Sequence, residues 1–274
     1  MAGTGRARAQ GTNLTWRWSN PAPFGNSIAD LAWRTNRLYL AVGDRGSLWA
    51  ASALPNWWRV KTGTTASLRG AAYLGDRAIV VGEGGAILWS DGAEFQSVFT
   101  GRTQWLESVT ASANRVVAVG DGGAVMVSTN GIDWTAASVG KTNNLTSVTY
   151  ASGLFVAVGD AAFVASSPDG LAWTVRNTGK TGFNLYRVAP VPTGVMAVGD
   201  AGNYLISRTA QLSLWDSGRV ATTNALTTVL AVGTERLVGG VGELRFGVNL
   251  FGNWVWSSGS EEHTSELQSR QYLV

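Results

Sequence analysis

The 274-residue chain contains no cysteine, which removes disulfides, thiolate metal sites and thiol nucleophiles together. The compartment stays open, because exported proteins can also lack cysteine. Lysine is nearly missing too: 18 of the 21 basic residues are arginine, with no Lys/Arg run. A net charge of +3 without a basic stretch points away from nucleic-acid binding. No apolar run reaches the length of a membrane span. Apolar residues alternate or cluster in fours and fives and do not recur at three and four, so no helix of useful length is expected. Charged residues make up only 14% of the chain, whereas glycines number 35, a balance that suits many short strands joined by tight turns.

Those strands repeat. Leu106 to Trp134, LESVTASANRVVAVGDGGAVMVSTNGIDW, returns in recognisable form at a steady interval. The residue opening each unit falls at Ile28, Leu68, Leu106, Leu145, Leu185 and Leu226. A glycine ends the second strand at Gly43, Gly82, Gly120, Gly159, Gly199 and Gly242. An acid follows each: Asp44, Glu83, Asp121, Asp160, Asp200 and Glu243. The closing aromatics are Trp57, Phe95, Trp134, Trp173, Trp215 and Trp254. Six periods of about 40 residues, each with four short strands, predict an all-β fold, a β-propeller of four-stranded antiparallel blades.

The ends depart from this period. Residues 1–12 read as a flexible lead-in with no apolar core, hence no intact signal peptide. Asn13 to Asn20 resembles a closing strand without its blade, since Trp16 precedes Ile28 by the same interval that separates Trp173 from Leu185. Six blades plus one orphan outer strand predict seven in an intact ring, with the propeller spanning 13–258. Ser260 to Ser269, SEEHTSELQS, resembles the translation of a common sequencing adapter, so 259–274 reads as a non-native tail. It holds the single histidine, His263. Without it 20 basic and 15 acidic residues remain.

The repeated residues have structural work. An indole recurring in every blade can bury ~150–250 Å² between sheets. Ser128 to Trp134 and Ser167 to Trp173 read Ser-x-Asn/Asp-Gly-x-x-Trp, in which the amide or acid caps backbone N–H groups and glycine takes positive φ. The six acids near one mouth could hold a cation, but each is also suited to satisfy its own hairpin, and the hairpin reading is the simpler one. No metal site and no cofactor are expected.

The order Val-Gly-Asp-x-Gly, apolar strand, Ser-x-Asp/Asn-Gly-x-x-Trp, then a short connection to Leu-x-x-Val resembles the neuraminidase (Asp-box) repeat propellers. Within them it is most like the photosystem II assembly and stability factor type, a non-catalytic binding scaffold. The resemblance implies an exported protein that docks a protein partner on a propeller face. The carbohydrate-active members of the same superfamily, glycan-binding or hydrolytic, are the alternative. Against catalysis, the spans from each closing aromatic to the next opening residue are short and nearly equal in length, leaving no insertion to wall a cleft.

Function is expected where the repeats disagree. Just after the opening residues, Asp30, Arg69, Glu107, Tyr186 and Arg187 form a dissimilar polar set predicted to face the channel mouth. A polar ligand or partner there competes with ordinary inter-blade hydrogen bonding. On the opposite face Arg37, Arg77, Arg115 and Arg236 recur at the first turn of their units and predict a basic arc suited to an acidic partner.

Overall fold

The structure, a computed structural model, describes residues 4–9, 12–17 and 27–258, apart from 55, 93, 193, 233–234, 241–242 and 251–252. It is all-β with short 3-10 turns and contains six four-stranded antiparallel sheets, each ordered first strand to fourth as in the sequence. They are blades 1 (28–60), 2 (68–98), 3 (106–138), 4 (145–175), 5 (185–219) and 6 (226–258). The opening strands of successive blades pack side by side and line the axis.

Alternation along each strand sends one set of apolar residues to the preceding blade and the other to the following one. In blade 3, Val116, Ala118 and Met126 join a core shared with blade 2, while Val117, Val119, Val125 and Val127 join one shared with blade 4. Five such cores seal six sheets among the described residues. The closing aromatics Phe95, Trp134, Trp173 and Trp215 each pack on the core shared with the preceding blade. Their indoles are pinned by local carbonyls: Trp134 Nε1 donates to Gly131 O at 3.1 Å and Trp173 Nε1 to Gly170 O at 2.6 Å.

Among the described residues, blades 1 and 6 keep one bare flank each. The third residue after each opening position faces the preceding blade and is 3–6% exposed at Ala71, Val109, Val148, Val188 and Val229; Leu31, at the same position of blade 1, is 50% exposed. Ala189 of blade 5 packs into the core shared with blade 6, and its equivalent Leu230 is 40% exposed. Among the described residues the arc is therefore open between blades 6 and 1.

Two expectations change at the ends of this arc. Thr4–Ala9, read as lead-in, is a strand, and it pairs antiparallel with Thr12–Arg17 in a separate two-stranded sheet. The strand resembling a blade's closing strand thus has a local partner, with Thr12 opposite Ala9. The glycine ending the second strand of blade 6 is Gly240, not Gly242: Gly240 lies opposite Leu226, as Gly199 lies opposite Leu185. A Cβ on Gly240 would lie 1.9 Å from Ala225 O, the same close approach found at Gly43, Gly82, Gly120, Gly159 and Gly199. Glu243 pairs with Gly240 as the first residue of the third strand, so it does not belong to the series of acids. Residues 259–274 lie outside the described residues.

The acid turns explain themselves locally. In blade 3, Gly122 and Gly123 stand at φ 63° and 74°, and Ala124 N–H closes the turn on Asp121 O. This is the left-handed two-residue hairpin for which Asp-Gly-Gly is suited. Blade 4 runs the same turn through Ala161 and Ala162, both at φ 56°, a strained choice for residues with a Cβ. The acids' backbone N–H groups tie each turn to the residue before its own opening strand: Glu83 to Ser67 O, Asp121 to Trp105 O, Asp160 to Asn144 O and Asp200 to Asn184 O. The side chains of Glu83 and Asp200 also accept the Ser67 and Asn184 N–H groups. The acids are thereby spread around the rim, and no three of them gather at one point among the described residues.

Candidate binding site at the propeller mouth

The five residues predicted at the channel mouth divide into two groups. Asp30, Tyr186 and Arg187 are taken up in the frame. The second position after the opening residue holds an acceptor that receives an N–H from the next opening strand: Ser108 Oγ from Val148, Ser147 Oγ from Val188 and Asp30 Oδ2 from Ala71, at 3.1–3.2 Å. Gly70 occupies this position in blade 2, where a Cβ would meet Val109 N at 3.0 Å. Arg187 has no acceptor to offer; its Nη2 reaches Asp30 Oδ1 at 2.6 Å. Blades 1 and 5 are not neighbours, so this ion pair spans the axis. Tyr186 donates its hydroxyl to Asp200 Oδ1 at 2.6 Å, which pushes its pKa up, with desolvation adding to the effect.

Arg69 and Glu107 stand apart from that frame. They sit on neighbouring opening strands at the end where the acid turns lie. The Arg69 guanidinium lies over the Trp105 ring, 5.3 Å from its centroid, a cation–π contact. Its Nε is buried without a hydrogen-bond partner. Burial pushes the half-buried Glu107 carboxyl up in pKa; attraction by Arg69 opposes this, and repulsion by Asp121 and Glu83 adds to it. No ion pair joins Arg69 to Glu107 among the described residues. Two opposite charges and an exposed indole edge are thus held near one another without saturating each other.

Trp105 is absent from the predicted set, although the sequence carries a signal for it. The residue before each opening position is Ser27, Ser67, Trp105, Asn144, Asn184 or Ala225, and only Trp105 is large. At that position Asn144 and Asn184 cap the preceding blade's turn through Gly122 N–H and Ala161 N–H. Trp105 cannot do so, and its ring carries Arg69 instead.

The four arginines of the opposite face have partners of their own. Arg77 lies 4.4 Å from the centroid of the Trp89 ring and donates to Asn130 O in the next blade. Arg115 donates to Asp169 O, again in the next blade, at 2.7 Å. Both clamp the Ser-x-Asn/Asp-Gly turn of the following sheet. In that turn Asp169 Oδ1 accepts the Leu171 and Ala172 N–H groups, which holds its carboxyl below the usual range. Glycine is required there by packing as well as by φ: a Cβ on Gly170 would lie 2.6 Å from Val117 of the preceding blade. Arg37 is exposed and paired with Asp76 at 2.6 Å, and Arg236 is 5% exposed. The predicted basic arc is therefore largely inter-blade fastening, because the second strand starts beside the next blade's outer turn.

Four-stranded antiparallel blades around an axis, joined by shared apolar cores, define a β-propeller. Among solved structures the chain is similar to YCF48 bound to D1 peptide, with TM-score 0.68 and 16% identity over 85% of this chain and 81% of that one. It is also similar to YCF48 from Cyanidioschyzon merolae, with TM-score 0.67 and 17% identity over 86% of each chain. The WD40 propeller domain of Doa1 gives TM-score 0.65 and 9% identity over 85% of this chain and 83% of that one. No protein-family model and no curated protein matches the chain. No helix among the described residues is long and apolar enough to cross a membrane.

Proposed function

We propose that this propeller is a non-enzymatic scaffold that docks a peptide segment of a protein partner at the acid-turn mouth, over Arg69, Trp105 and Glu107. The observation that carries this reading is the unsaturated charge there. Arg69 keeps a buried Nε without a partner, whereas Asp30 and Arg187 are spent on inter-blade bonds and Tyr186 on Asp200 of its own blade. Leaving charged groups partly desolvated costs stability, and a partner that completes their hydrogen bonds recovers it. Trp and Arg are also among the residues most enriched at the energetic centres of protein interfaces. The YCF48 structure with a D1 peptide supports this reading by fold alone. Short connections of nearly uniform length between blades favour docking over a walled catalytic cleft. Export, implied by the same resemblance, belongs to this proposal.

A random-peptide display selected on the purified protein tests it. Selected peptides are expected to lose about tenfold or more in affinity with Arg69→Ala or Trp105→Ala. Selection of no peptide, or of peptides indifferent to both changes, would overturn the reading.

A further inference from the structure

We propose that the outer seam between blades 5 and 6 is a binding site for a doubly charged tetrahedral oxyanion, phosphate or sulfate in class. It lies on the same end of the propeller as the acid turns but away from the mouth, and it does not depend on peptide docking there. A cavity of about 570 Å³ opens at this seam, lined by Arg219, Val220, Ala221, Thr222, Thr223 and Arg245.

Two guanidinium groups from different sheets converge on one short loop. Arg219 ends the closing strand of blade 5, and Arg245 sits in the third strand of blade 6. Arg219 donates from Nε to Ala201 O at 2.6 Å and from Nη2 to Thr222 O at 3.4 Å. Arg245 donates from Nη2 to Ala221 O at 3.3 Å. The carbonyls hold both forks at adjacent residues, so much of the side-chain entropy that binding would cost is already spent. Neutral carbonyls orient a guanidinium without cancelling its charge. Arg219 takes part in no ion pair among the described residues, and its Nη1 in no described hydrogen bond.

Two described acids of blade 5 are committed elsewhere. Asp200 accepts from Tyr186 and from the Asn184 backbone, and Asp216 pairs with Arg208. Two positive charges at one loop favour a dianion over a monoanion, since each Coulomb interaction grows with the ligand's charge. The planar fork of arginine matches two oxygens of a phosphate or sulfate at once. The Thr223 residue, exposed in the same cavity, supplies a hydroxyl donor at its rim. The oxyanion can be a free ion or can be carried as a phosphate ester by a partner.

Calorimetric titration of the whole chain with sodium phosphate and with sodium sulfate, at ionic strength held constant with chloride, tests the site. Saturable binding is expected, weakened about tenfold or more by Arg219→Gln and by Arg245→Gln. Arg59→Gln, at an exposed arginine of blade 1 outside the cavity, should leave it unchanged. Arg219→Lys retains charge without the fork and is expected to fall between wild type and Arg219→Gln; it carries the test if the glutamine variant does not fold. A phosphoserine amide binding as tightly as inorganic phosphate identifies a partner-borne group, and inorganic phosphate binding alone identifies a free ion. No saturable binding of either anion, or equal affinity in wild type and the Arg219 variants, overturns the proposal.

Discussion

Removing Arg187 would test how the open arc keeps its diameter. Among the described residues, the Arg187–Asp30 pair is the ion pair that joins non-adjacent blades, with Asp30 9% and Arg187 35% exposed. Unit charges ~4 Å apart attract by ~4 kcal/mol at an effective dielectric of ~20, and desolvation offsets much of that. Arg187 remains one-third solvated, so the pair falls between exposed pairs, worth ~0–1 kcal/mol, and buried ones, whose breakage costs ~3–5 kcal/mol. Arg187→Met strands a mostly buried carboxylate on the Ala71 N–H and should cost about 2 kcal/mol. Asp30→Asn keeps an acceptor for Ala71 and should cost about 1 kcal/mol. A double-mutant cycle should then return a coupling of about 1 kcal/mol, and the arginine variant should melt roughly 4–8 °C lower. Urea unfolding followed by the fluorescence of the 13 tryptophans measures all four corners. The exposed Arg208–Asp216 pair is the control, with no measurable coupling expected. A coupling below about 0.3 kcal/mol at Asp30–Arg187 would show that the axis-spanning contact contributes nothing to holding the arc.

Ala161→Gly should stabilise blade 4 by roughly 0.5–1 kcal/mol, since Ala161 is exposed and held at φ 56°; equal or lower stability would show that the turn is not strained. The reverse change, Gly123→Ala, should cost more than that, because its Cβ would lie 2.1 Å from Lys141 O. Leu31→Ala should cost well under 1 kcal/mol while Leu145→Ala costs about 2–5 kcal/mol, and comparable losses would mean that another sheet covers Leu31 in solution. Burial raises the Glu107 pKa, so the folded chain holds that proton more tightly than the unfolded one. The resulting stability is present below the unfolded glutamic-acid pKa and is lost as pH rises through the folded one. Glu107→Gln should therefore melt higher than wild type at pH 7 and level with it in acid; a difference that does not change with pH would refute the assignment.

The blade count was legible in the residues because a propeller repeats its local chemistry. Blades 1 to 5 share an opening leucine or isoleucine, a glycine whose missing Cβ lets a neighbouring carbonyl approach, a left-handed turn and a closing aromatic, and all four leave marks at nearly fixed spacing. Register at the margin was not legible: Gly240 and Gly242 are equally good glycines, and only pairing with Leu226 distinguishes them. The Thr4–Ala9 strand was hard to see because its one apolar face, Gly5, Ala7 and Ala9, carries no large or β-branched side chain to declare it.

Side-chain use was decided in three dimensions. Asp30 and Arg187 are 157 positions apart, and no spacing could pair them; closing the blades around an axis brought them together. Arg77 and Arg115 looked like free surface charge because their recurrence is visible, whereas the carbonyls they hold belong to the next repeat. Periodicity is a property of one chain segment and survives in the sequence. Which residues meet across the channel or across a seam depends on the curvature accumulated over several sheets, and that exists only once they are packed.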